Sequence, residues 1–191
     1  MRTIIFCTII DKMFLVVLSL LIVGSFTFSE CIIVKDCGSK TIKVDYFNMY
    51  PNNLKMGSEI QYSTKGSVLQ DIEGPVRLKL GLWKKVLGIS VKIPCISNLG
   101  SCTFENGCEE LENLIMGNEC PKEILELGLK CECPLRKMDI SFKDHKIYIP
   151  EVKGTIAKFI SSGTYDVSII LEDSNTGKVH LCLDINLKIE T

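Results

Sequence analysis

Val179–Glu190 reads VHLCLDINLKIE, and the period of that stretch decides the class of the fold. Val179, Leu181, Leu183, Ile185, Leu187 and Ile189 recur at every second position, with His180, Asp184, Asn186 and Lys188 between them. Successive side chains of an extended strand point to opposite faces, so the pattern predicts a strand with one buried and one wet face. A helix would place its apolar residues three and four apart. The same alternation appears upstream: Val76, Leu78, Leu80 and Leu82 against Arg77, Lys79 and Gly81, and Ile42, Val44 and Tyr46 against Lys43 and Asp45. Strands polar on one face belong to antiparallel sheets. Pro51-Asn52-Asn53, Gly74-Pro75 and the SNTG run at 174–177 read as turns between them. The expectation is a mainly β protein, an antiparallel β-sandwich or an open β-cup.

The middle of the chain departs from this period. From Glu105 to Met116, Cys108, Leu111, Leu114 and Ile115 recur at helical spacing, and Pro121 opens a second short turn that Gly128 ends. Cys108, Cys120, Cys131 and Cys133 fall inside this segment. It reads as a short helical insertion pinned by cross-links, because it carries too little apolar surface to hold itself.

The N-terminus bears on the compartment. Met13 to Phe28 is apolar and uncharged, with Lys12 and Arg2 ahead of it and small residues behind. That is the layout of a secretory signal peptide, with cleavage after Ser29 or Ser25 and Met13 an alternative start. The rival, a retained anchor, asks for a run of ~20 apolar residues, and this one is shorter. The chain therefore divides into a leader, 1–29, and a mature domain, 30–191. Of ten cysteines Cys7 lies in the leader, and the remaining odd number leaves Cys31 as the spare. In an oxidising compartment the others read as a disulfide framework. Zinc at Cys131-x-Cys133 is the weaker reading, since zinc needs free thiolates.

Charge and composition exclude other classes. The net charge of −1 gives no electrostatic basis for binding nucleic acid. Only His145 and His180 are available as imidazole bases, and no serine lies in a G-x-S-x-G context. No glycine-rich phosphate loop, calcium loop or cofactor motif is present, so the expectation is a protein that is not an enzyme and has no catalytic residues, metal or cofactor. His180 lies on an otherwise polar strand face and reads as a surface or rim residue.

Lys92-Ile93-Pro94-Cys95, Gly100-Ser101-Cys102-Thr103-Phe104-Glu105 and Cys108 form one motif, continued by Cys120-Pro121, Gly128-Leu129 and Cys131-x-Cys133-Pro134. In these residues the chain resembles the GM2-activator branch of the MD-2-related lipid-recognition (ML) domain family. A weaker match runs through Phe159 to Tyr165 and on to the Cys182 strand. The resemblance implies four disulfides: Cys37–Cys182, Cys95–Cys102, Cys108–Cys133 and Cys120–Cys131.

It also implies a β-cup with an apolar lipid cavity and a secreted or lysosomal lipid-transfer protein. Such a protein extracts a glycolipid or phospholipid from a transient membrane surface and presents it to a glycosidase, a β-hexosaminidase in the activator branch. By position, Val86, Leu87 and Ile89 form one rim loop and Ile156, Phe159 and Ile160 another. Leu111, Leu114, Ile115 and Met116 lie beside the cavity mouth. Taken singly, each of these also suits an ordinary core. The chain has Ser90 and Phe159 where the activator branch has tryptophan, and it has no Asn-x-Ser/Thr sequon. The rival readings are a carrier of another apolar ligand (a sterol, fatty acid or semiochemical) and a secreted protein that binds a receptor.

Overall fold

The computed structural model describes residues 3–6, 32–107, 134–149, 151 and 162–190. Among these, the strands are β1 (Thr3–Phe6), β2 (Ile32–Asp36), β3 (Ile42–Tyr50), β4 (Asn53–Lys55), β5 (Ser58–Val68), β6 (Val76–Val86), β7 (Ile89–Lys92), β8 (Thr103–Phe104), β9 (Met138–Ile149), β10 (Gly163–Asp173) and β11 (Val179–Glu190). They make two sheets. The larger runs β1-β2-β11-β10-β6-β7, with β4 added to β11 and β8 to β6; the smaller is β3-β5-β9. All pair antiparallel except β4 on β11. The protein is mainly β in two antiparallel sheets, and the three alternating runs of the sequence are β3, β6 and β11. The expected helical insertion lies outside the described residues.

Alternation becomes packing in β11. Ile185 and Leu183 turn inward beside Val34 and Asp36 of β2, and Val167 and Ile169 of β10 continue the same rows into Leu82 and Leu80 of β6. One end of the molecule is tightly closed by Ile42, Val68, Ile72, Val76, Leu78, Leu171 and Leu181. A second cluster, Ile32, Val34, Met49, Ile60, Tyr62 and Phe142, closes one side. Arg136 reinforces the closed end, bonding to Asp71 at 2.9 Å and Glu73 at 3.2 Å while Ile72 donates its amide to Leu135.

The expectation for β3 needs correction. Ile42 and Val44 face inward, but the register slips between Val44 and Tyr46, which puts Tyr46 out of phase and brings Phe47 and Met49 onto the inner face. A β-bulge inserts one residue and reverses the faces beyond it. Gly66 lies opposite Val44, where an added Cβ would stand 2.3 Å from the Lys43 carbonyl oxygen, so only glycine fits that approach. A second slip, between Tyr62 and Thr64, is matched on β9 by Asp144 at a φ of 53°. Inward residues on β9 therefore run Met138, Ile140, Phe142 and then His145, Ile147, Ile149.

Candidate functional site

The inner faces are apolar yet incompletely covered. Leu80, Leu82, Val167, Ile169, Leu183, Ile185 and Leu187 of the larger sheet are only half-buried. So are Val44, Phe47, Met138, Ile140, Ile147 and Ile149 of the smaller one. In a closed sandwich the facing side chains of central strands interdigitate and lose contact with water. Here the close backbone approach between the sheets is at β3, against β2 and β11. Elsewhere the sheets meet through side chains: Phe142 and Ile140 of β9 and Tyr62 of β5 pack in the same clusters as Val34, Leu183 and Leu80 of the larger sheet.

The inner row of β6 does not stop at the rim. Leu78, Leu80 and Leu82 are followed on the same face by Lys84 and Val86, with Val91 and Ile89 of β7 opposite them. Lys84 folds onto fully buried Tyr165, its Nζ 5.7 Å from the ring centroid. Beyond it the hairpin is apolar and bare: Val86 is 45% exposed, Leu87 100%, Ile89 68% and Val91 50%. Leu87 and Gly88 form a two-residue turn with φ of 51° and 83°. Positive φ at both central positions is the type I′ geometry, which favours Asn-Gly. Leucine in a left-handed conformation costs backbone energy and gains no burial. That residue contributes nothing to the isolated fold.

Val86, Leu87 and Ile89 are thus placed together on one exposed hairpin; Val91 belongs with them and the sequence reading missed it. The half-buried residues of β9 and β10 were missed as well. The other rim residues, Ile156, Phe159 and Ile160, and the four near the mouth, Leu111, Leu114, Ile115 and Met116, lie outside the described residues. Cys37 is bonded to Cys182, tying the start of the domain to β11, and Cys95 to Cys102, closing a short loop after β7. The Cys108–Cys133 and Cys120–Cys131 pairs lie outside the described residues.

His180 requires a second correction: it is buried, at 5% exposure. The β10–β11 register shifts between Leu171 and Glu172, and this irregularity turns His180 in under the N-terminal segment. Its Nδ1 is 3.1 Å from Thr41 Oγ1, and Gln70 donates to that same oxygen at 3.3 Å. The Thr41 hydroxyl can donate to Nδ1 or accept from it, and in either tautomer Nε2 is a buried atom with no hydrogen-bond partner among the described residues. Burial pushes the imidazole pKa below its ordinary 6.5; Lys178 lowers it further and Asp173 partly opposes them. The unfolded chain then binds the proton more tightly than the folded one, so this group's contribution to stability falls as pH drops below about 6.5. His180→Gln is expected to shrink the loss of denaturation midpoint between neutral and mildly acidic buffer. An unchanged difference in a denaturant titration at both pH values would remove His180 from the acid response. The Asp71, Asp173 and Glu172 carboxyls, all held low by hydrogen bonds, act in a separate window near pH 4 and below.

Two antiparallel sheets packed through an apolar interior, with an inner row of β6 that runs on to a bare apolar hairpin, define a two-sheet β protein of sandwich type. The chain belongs to the ML-domain family, whose profile matches residues 25–189. It is 31% identical over 163 residues to the ganglioside GM2 activator of Macaca fascicularis, spanning 85% of this chain and 82% of that protein. The Mus musculus ganglioside GM2 activator is 28% identical over 163 residues, with 85% and 80% covered. Among solved structures, a Niemann-Pick type C2 protein from Japanese carpenter ant overlaps 82% of this chain and 98% of its own at 15% identity, with a TM-score of 0.43. Chicken MD-1 complexed with lipid IVa overlaps 83% and 88% at 13% identity, with a TM-score of 0.38.

Proposed function

We propose that this protein is a secreted, non-enzymatic lipid carrier that lifts a glycolipid from a membrane and presents it to a glycosidase. The observation that carries the reading is the apolar track running from the half-covered interior, along β6, to the bare hairpin at Val86, Leu87 and Ile89. A lipid tail leaving water gains about 0.8 kcal/mol per CH₂, and a half-covered apolar interior offers that gain without unpacking a core. The hairpin enters the edge of the bilayer, with Lys84 folded onto Tyr165 at its base. Ile156, Phe159 and Ile160 complete the rim, and Leu111, Leu114, Ile115 and Met116 flank the mouth. Two relatives named ganglioside GM2 activator favour an activator over a plain carrier. Residues 1–29, which include β1, direct secretion and are removed, so that β2 is the edge of the larger sheet in the mature protein; the lumen of the secretory pathway or lysosome is where it works, with a β-hexosaminidase as the enzyme partner.

The test uses oxidised, secreted protein with phosphatidylcholine vesicles that carry a ganglioside. Ganglioside in the vesicle-free fraction, together with faster hydrolysis by β-hexosaminidase, is the expected result. Uptake without any effect on hydrolysis would leave a carrier and remove the activator role. No uptake at acidic or neutral pH would overturn the lipid reading altogether.

A further inference from the structure

The face of the larger sheet turned away from the interior carries two rows of side chains that the lipid reading does not use. Across β2, β11, β10 and β6 the first row is Ile33, Asn186, Asp166 and Trp83; the second is Lys35, Asp184, Ser168 and Gly81. All of these except Gly81, together with Lys85 and the strand segments at Val167 and Ile185, line a shallow groove of about 420 Å³. Small-molecule sites occupy roughly 300–1,000 Å³.

Three features make this groove more than ordinary wet sheet. Trp83 is the only tryptophan in 191 residues, and its indole folds back over Gly81: a Cβ there would sit 2.2 Å from the ring. Gly81 has no positive φ to explain it, so the glycine is there for the ring. The polar groups beside the indole are held in place, with Asp166 receiving Lys85 Nζ at 3.1 Å and Asn186 Nδ2 at 2.7 Å. The charges balance, Lys35 and Lys85 against Asp166 and Asp184.

We propose that this outer groove binds a neutral oligosaccharide. A pyranose ring offers a C–H face that packs on an aromatic ring and a rim of hydroxyls that each donate and accept. The indole suits the first; Asp184, Ser168, Asn186 and the Lys35 ammonium suit the second. A polyanion would be opposed by the two carboxylates. An acyl chain would leave all these polar groups unpaired. The groove lies on the opposite side of the sheet from the apolar interior, so its occupancy does not depend on a lipid being bound.

With a single tryptophan at the site, its fluorescence is a direct reporter. The secreted, oxidised protein is titrated with lacto-N-neotetraose and with triacetylchitotriose, which carry no lipid. A saturable change in emission with a Kd of about 1 mM or tighter is expected for at least one of them. Asp184→Ala and Asn186→Ala should each weaken it about tenfold, and Asp184 is exposed enough that its loss leaves the fold intact. No saturable change with either sugar overturns the proposal. So does a response that both variants retain undiminished, or a concentration-dependent change without sugar, which would make this face a contact between two copies of the chain.

Discussion

Leu87→Asn is expected to act in opposite directions on folding and on membrane binding. Asparagine tolerates the left-handed turn that leucine occupies at φ 51°, so the variant should melt no lower than the parent and gain up to about 1 kcal/mol. Binding to vesicles should fall, because the side chain lost is fully exposed in the free protein and buries its whole apolar surface only in lipid. The paired variant Leu87→Asp/Ile89→Asp should go further. Each of the two side chains is worth about 1.5–3 kcal/mol when fully buried, so a vesicle-flotation assay should show a hundredfold or greater loss of partitioning. A core residue gives the reverse signature, a lower melting point with partitioning intact. Vesicle binding unaffected by both variants would show that the hairpin is not the part that enters the membrane.

Cys37→Ser/Cys182→Ser should lower the unfolding free energy by about 4–5 kcal/mol on the chain-entropy account, since the bridge spans 145 residues of sequence. Cys95→Ser/Cys102→Ser, spanning 7, should cost about half as much. A domain of this size has roughly 5–15 kcal/mol in total, so the first change approaches the whole margin and the second does not. Replacing both partners avoids a stray thiol. Denaturant midpoints of the two variants under oxidising conditions give the comparison, and equal losses would mean that local packing, not loop closure, sets the effect.

The class of the fold was legible in three runs because β3, β6 and β11 each bury one face. Strand β11 is readable from Leu181 onward, since its alternation meets no bulge after His180, the residue skipped in its pairing with β10. Strands β5 and β9 were not, and the reason is the same in both. The slip between Tyr62 and Thr64 breaks the period, so Phe142 and His145, three residues apart, face the same way. Period-two reading fails at any bulge, and the smaller sheet has two. His180 was misplaced because its polar neighbours set its apparent face, whereas the shifted register decides its burial. The rim residues Val86, Leu87 and Ile89 came from the family resemblance. Sequence periodicity alone gives a hairpin but says nothing of how far it stands from the body. That Gly81 and Trp83 share a face follows from the period of two, but the indole folding back over the glycine had no signal in the sequence, since it depends on the ring's rotamer.

Strand β6 runs unbroken from Val76, fully packed in the closed end, to Val86 at the exposed tip, eleven residues or about 36 Å. One unbroken strand therefore joins the packed end to the bare tip, so a guest that displaced Leu82 is expected to tilt the hairpin at Val86 with it. Spin labels at Leu87 and at Ser63 on the opposite sheet would read that tilt directly, and equal distances in the empty and loaded protein would mean that the hairpin stays where it is.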